Sequence, residues 1–204
     1  MALVGYRVWW LRTHSGTPDP GMRGEWVPPA LAGIVRHYTW SPGVNVAECW
    51  EQGHDTRGMS ERHIARAPAQ GCHCGFWMFP HEGSPRGEPA YYGELWTDRG
   101  LIHALERWAD TFSRVPYGYA DSRERLVVGM VETWGRIIHH EEGSRVEKAT
   151  PIALLHRSPL DRVEVNQVDL VARRYDIPVC RTVGELVKFG QQHVARSRRI
   201  ATEG

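Results

Sequence analysis

The stretch from Leu126 to Leu155 does most to limit what this chain can fold into. Leu126-Val127-Val128-Gly129-Met130-Val131-Glu132-Thr133-Trp134 is rich in β-branched residues, Gly135 interrupts it, and Arg136-Ile137-Ile138-His139-His140 resumes it. Glu141-Glu142-Gly143-Ser144 supplies a hairpin turn, and Arg145 to Leu155 returns as the partner strand, with Pro151 at an edge or a strand boundary. Long antiparallel strands that carry a glycine break coil on themselves. The pattern predicts a small, twisted, barrel-like sheet.

The remaining elements fit around that hairpin. Tyr6 to Leu11 reads as a strand, with Tyr6, Val8 and Trp10 on one face and Arg7, Trp9 and Leu11 on the other. Thr13 to Pro29 reads as loop, and Ala30 to Val35 as a short helix-like stretch. Apolar positions Leu101, Ile102, Leu105, Trp108, Ala109, Phe112 and Val115 recur at helical spacing. They predict a long amphipathic helix, capped at Thr97 or Asp98 and ended by Pro116 and Gly118. Near the end, Asn166 is placed to cap a helix through Arg174, and Ile177 to Cys180 reads as a short strand. Thr182-Val183-Gly184-Glu185 has capping-box spacing and opens a last helix through about Arg196. The expected fold is α+β: a twisted antiparallel, barrel-like sheet packed on one long helix, with a helix–strand–helix end. The expected organisation is an α+β domain over residues 1–160 and an extension packed on it over 161–204.

Charge and composition narrow the function classes. The 25 Lys and Arg against 24 Asp and Glu leave a net charge of +1, which argues against binding nucleic acid through a global positive field. No apolar run approaches the roughly 18 residues of a membrane span, and the first residues carry no export signal. A soluble, cytoplasmic protein is expected, with no membrane partner. Nine tryptophans supply much apolar area, each with one donor to satisfy.

Residues 41–96 are rich in Gly, Pro, His and aromatics, and so much loop needs something to organise it. Cys49, His63, Cys72 and Cys74 are the candidate organisers. Three thiolates and one imidazole suit a tetrahedral Zn²⁺, and a filled shell leaves no open position, so the ion would be structural rather than catalytic. His54, His73 and His81 rival His63 as the fourth ligand. The plainer reading is three cytosolic thiols with no metal.

The chain carries Gly5-Tyr6-Arg7-Val8-Trp9, Gly43-Val44-Asn45-Val46-Ala47-Glu48-Cys49, His63 with Pro68, and Cys72-His73-Cys74-Gly75. Further along are Val128-Gly129-Met130-Val131, Trp134-Gly135-Arg136-Ile137, His140, Gly143, Arg145, Lys148 and Ala149, then Tyr175-Asp176-Ile177-Pro178-Val179. In these motifs the chain resembles an uncharacterised family of actinobacteria and their bacteriophages. The resemblance implies that Cys49, His63, Cys72 and Cys74 belong together. It implies no activity.

A second constellation, His139-His140-Glu141-Glu142, could do acid–base chemistry, but strand alternation sends neighbours to opposite faces. A polar hairpin end is the simpler reading, with His140, Glu142 and Arg145 pairing across the turn. Arg173, Arg174, Arg196, Arg198 and Arg199 offer phosphate contacts or a solvated helix face. The Tyr6–Trp10 rings could stack bases, though core packing explains them as well. Cys180, in an apolar strand, reads as a buried structural thiol. The sequence has no nucleophile elbow, P-loop, dinucleotide fingerprint or His-Glu-x-x-His. The expectation is a non-enzymatic, zinc-stabilised interaction protein: a phage factor that binds a host bacterial protein. The alternatives are an enzyme using the Trp134–Arg145 sheet face, and a nucleic-acid binder using the basic C-terminus.

Overall fold

A computed structural model describes residues 3–12, 30–33, 39–48, 67–69, 74–80, 125–140, 143–156 and 162–203. The elements are β1 (Leu3–Arg12), β2 (Ala30–Ala32), β3 (Asn45–Val46), β4 (Phe76–Pro80), β5 (Arg125–His140) and β6 (Gly143–Leu155). They are followed by α1 (Arg162–Tyr175), β7 (Val179–Cys180) and α2 (Val183–Glu203). Among the described residues the architecture is α+β, a mostly antiparallel sheet with two helices. The predicted helix over 98–115 lies outside the described residues.

The hairpin expected from Leu126 to Leu155 is the spine of the sheet. β5 and β6 pair from Gly129↔Leu154 to His140↔Gly143, and β1 lies along the other edge of β5 from Leu3↔Thr133 to Leu11↔Arg125. β4 then pairs with both β1 and β6, so β1, β4, β6 and β5 form a closed cycle of pairings, a ring-like sheet. Strands this long curve because their pairing slips. The register shifts between Met130 and Val131 and again between Trp134 and Ile137. At the second shift Gly135 holds φ +83°, and Glu147 Oε2 accepts from the Arg136 amide at 2.9 Å. Gly135 is therefore a bulge inside one continuous strand. Pro151 sits opposite Val131 at the first shift, inside β6 rather than at a boundary, where a missing N–H is tolerated.

The alternation read from β1 holds. Trp9 and Leu11 join one buried cluster, Tyr6 and Val8 the other. The first cluster takes in Val168, Val171, Ala172 and Tyr175 of α1, and the second Val183 and Leu186 of α2. The two helices thus cover different faces of the sheet. Tyr6 and Trp9 are core rings, 1% and 0% exposed, not a base-stacking platform.

Two local expectations are corrected. Ala30–Ala32 is a strand, not a helical stretch, because pairing with Trp10–Arg12 buries all three residues. α1 begins at Arg162, so Asn166 falls inside it rather than capping it. The capping box at α2 is present: Thr182 Oγ1 accepts from the Glu185 amide at 3.1 Å, and Glu185 Oε2 accepts from the Arg181 amide at 2.6 Å. α2 continues beyond Arg196 to Glu203. β7 pairs in parallel with β6 through Leu154↔Val179 and Leu155↔Cys180, which stitches the helix–strand–helix end onto the sheet. Among the described residues no helix is long and apolar enough to cross a membrane.

Candidate functional site

Of the four predicted metal ligands, Cys74 is described and buried, while Cys49, His63 and Cys72 lie outside the described residues, as do His54, His73 and His81. Among the described residues no three His, Cys, Asp or Glu side chains gather as a metal-binding group. The chain on either side of the ligands is placed, however. β3 and β4 pair with β6 at neighbouring registers, Val46↔Lys148 and Phe76↔Val146. The Ala47 amide donates to the Glu147 carbonyl at 2.7 Å, between those two pairs. Consecutive strand residues rise about 3.3 Å, so the exit of β3 toward Cys49 and the entry of β4 from Cys74 meet at the same point of β6. Ala47, Ala67 and Cys74 share one buried cluster. Each is within four residues of a predicted ligand or is one itself.

The segment entering this corner is held rigidly. Asn45, buried under the turn, uses its whole side-chain amide. Oδ1 accepts from the Ser41 amide at 2.9 Å and from Ser41 Oγ at 3.2 Å, and Nδ2 donates to the carbonyls of Ser41 and Gly43, each at 3.0 Å. Gly43 takes φ +87° within this turn. The fixed turn leaves Val44 and Val46 54% and 48% exposed, the two most exposed large apolar side chains among the described residues.

The hairpin end brings His140 and Arg145 together and leaves Glu142 outside the described residues. Arg145 Nε donates to His140 Nε2 at 2.8 Å, and its Nη1 donates to the Cys74 carbonyl at 3.2 Å. Trp77 stacks on the imidazole, centroids 5.1 Å apart. His139 points elsewhere, its Nδ1 2.9 Å from Ser144 Oγ. Accepting from Arg145 commits His140 Nε2, so that nitrogen is not positioned as a general base. The arrangement closes the hairpin and fixes the backbone at Cys74.

A residue that the sequence reading did not select stands out on β1. Arg7 shares its face with Trp9 and Leu11 and is only 7% exposed. Its guanidinium carbon lies 4.8 Å from the Trp40 ring centroid and 5.7 Å from that of Phe76. Trp40 in turn packs edge-on to Trp9 at 5.5 Å and against Phe76 at 4.6 Å. Nη1 donates to the Trp77 carbonyl, and Nε is buried with no partner. Trp9 Nε1, at the same aromatic cluster, is likewise buried and unpartnered. Burial pushes the Arg7 pKa down to about 9. The signal was present in the sequence: a charged residue on the strand face that otherwise carries Trp9 and Leu11.

Tyr175, at the end of α1, anchors the same region. Its hydroxyl donates to the Trp40 carbonyl and accepts from the Leu31 amide at 3.3 Å, and burial raises its pKa. Cys180 is a buried free thiol, as expected, with its pKa raised by burial and then by the Glu185 charge. Arg173, Arg174 and Arg196 are exposed on the helices. No family model, no curated protein and no solved structure matches this chain.

Proposed function

We propose that this chain is a non-enzymatic, zinc-stabilised interaction protein that docks on a partner protein through the turn around Val44 and Val46. The observation that carries the reading is the pairing of two exposed valines with a turn fixed by Asn45. An apolar contact on a preorganised turn loses little conformational entropy when a partner covers it. The same turn runs directly into Cys49. A structural Zn²⁺ held by Cys49, His63, Cys72 and Cys74 would anchor its far end, and the shared register of β3 and β4 on β6 supports that set. The ion would supply cross-linking of the irregular middle and no reaction step. The resemblance to an actinobacteriophage family makes a host bacterial protein the proposed partner, met in the host cytoplasm. The finer barrel-like description of the sheet belongs to this reading too, as a stiff support for the turn.

The experiment is affinity capture from an actinobacterial lysate with the wild-type chain and with a Val44→Asp, Val46→Asp double variant. The reading predicts that one host protein is captured in stoichiometric amount and lost with the double variant, whose melting temperature stays unchanged. Equal capture by both chains would contradict it. So would recovery of nucleic acid alone, released steeply by salt.

A further inference from the structure

β3 leaves one edge of the sheet unpaired among the described residues. It ends the strand path β2-β1-β4-β6-β3. In an antiparallel pair, successive residues turn their N–H and C=O alternately toward the partner strand and away from it. The register is Asn45↔Ala149 and Val46↔Lys148, and the Ala47 amide donates to the Glu147 carbonyl. Asn45 and Ala47 therefore direct their amides at β6. Trans peptide planes put the flanking groups on the opposite side, so the Val44 C=O and both backbone groups of Val46 point away from β6. Among the described residues no hydrogen-bond partner meets them. The side chains alternate too: Asn45 and Ala47 are buried, while Val44, Val46 and Glu48 are exposed. Glu48 has no ion-pair partner among the described residues. Lys148, the cross-strand neighbour of Val46, has its Nζ 3.9 Å from Glu147 Oε1 instead.

Resting on the docking reading above, we propose that the partner protein binds by strand addition: an extended segment, basic-x-apolar-x-apolar in sequence, pairs antiparallel with the free edge of β3. An acceptor, a donor and a second acceptor at strand spacing are matched by another extended backbone. The segment residue opposite Val46 exchanges both N–H···O bonds with it. Apolar side chains of the segment cover Val46 and Val44 as cross-strand neighbours, and its basic residue faces Glu48. The antiparallel direction puts that basic residue first in the segment. A second copy of this chain fits less well. Pairing β3 with itself about Val46 sets each Glu48 carboxylate against a Val44 side chain, and a parallel pairing sets Glu48 beside Glu48. A nucleic-acid strand would bring phosphates to a row whose charge, that of Glu48, is already negative.

The test is an NMR titration of the full chain with a synthetic peptide, acetyl-Lys-Thr-Val-Thr-Val-Thr-amide, up to ~5 mM, the range suited to weak binding. Its lysine and two valines are spaced to face Glu48, Val46 and Val44. Saturable shifts at the Val44, Val46 and Glu48 amides are expected, with slower hydrogen exchange at Val46. Methylating the peptide nitrogen of the valine that faces Val46 removes one donor and should weaken binding about tenfold. Replacing the peptide lysine by glutamate should weaken it severalfold, and Glu48→Lys should reverse that preference. Absence of binding by the parent peptide would overturn strand addition, as would equal binding of the methylated peptide or a charge preference indifferent to Glu48→Lys. Dimerisation of the free chain through β3, read by sedimentation, would overturn it in favour of a second copy. The two readings fail separately. Lysate capture lost in the Val44→Asp, Val46→Asp variant, with no peptide binding, overturns strand addition alone, whereas equal capture by both chains removes the docking reading itself.

Discussion

Arg145 and His140 meet across the end of the long hairpin, the arginine Nε donating to the imidazole Nε2 at 2.8 Å while its Nη1 reaches the Cys74 carbonyl at 3.2 Å. One side chain thereby ties the hairpin end to the start of β4. His140→Ala leaves a donor of the buried Arg145 without its acceptor, which costs about 1–3 kcal/mol. At about 2–4 °C per kcal/mol for a chain of this size, the melting temperature should fall by about 5 °C. His140→Gln restores an acceptor and should recover more than half of the loss. A melting curve for His140→Ala that overlays the wild type would remove this bond from the account.

The depressed pKa of Arg7 gives a second expectation, with a definite sign. Below about 9 the native state carries the whole cost of the buried charge. As pH rises past that value, the folded chain releases the proton while the unfolded chain, whose arginine keeps its ordinary, much higher pKa, retains it. The unfolded state then binds more protons, so stability rises with pH. Buried Tyr6 and Tyr175, with raised pKa values, work in the opposite direction above their ordinary value of 10. The informative window is therefore pH 8 to 10. Urea midpoints of wild type and Arg7→Met across it should converge with rising pH, the wild type gaining on the variant. A gap that stays constant would contradict a buried, uncompensated charge.

These two sites were unequally legible in the sequence. The β5–β6 hairpin was readable because β-branched runs and a turn are local signals, and so was the capping box at Thr182 and Glu185. The β-character of Ala30–Ala32 was not readable, because it depends on pairing with Trp10–Arg12 far away in the chain. Gly135 looked like a strand break, and only the opposing Glu147 turns it into a bulge. The sequence pairs His140 and Arg145 with the acidic residues of the turn, so their bond to each other was not legible, and the burial of Arg7 required knowing that Trp40 and Phe76 close over β1. Asn45 lies in a recognisable motif, but its four hydrogen bonds are a matter of turn geometry that composition does not express.

Gly129 tests the closeness of the ring. It pairs with Arg7 on one side and Leu154 on the other, and a Cβ there would run into the Ala153 carbonyl and come within 3.0 Å of Leu154 and Trp9. Backbone and a packed indole have little room to yield. Gly129→Ala should cost about 1–3 kcal/mol, as overpacking does, read as a lower urea midpoint with the slope unchanged. An unchanged midpoint would mean that β5 and β6 are not this close.

Cys180 offers a chemical probe of the helix–strand–helix end. Burial and then the Glu185 charge raise its thiol pKa, and the thiolate is the reactive form. Site-resolved iodoacetamide labelling at neutral pH should therefore be slow in the native chain and rise at least tenfold in urea. Glu185→Gln, which removes the lesser cause, should change native labelling far less than unfolding does. Fast labelling of native Cys180 would contradict the parallel pairing of β7 on β6.

The central claim is that a metal held by Cys49, His63, Cys72 and Cys74 anchors the turn bearing Val44 and Val46. Zinc content, measured by elemental analysis on protein purified without chelator, tests it most directly, with Cys74→Ser alongside. The account predicts about one zinc per chain in the wild type, as one four-ligand shell requires, and a marked loss in the variant. A metal-free wild type that melts cooperatively, or a Cys74→Ser chain that keeps its full zinc, would contradict it.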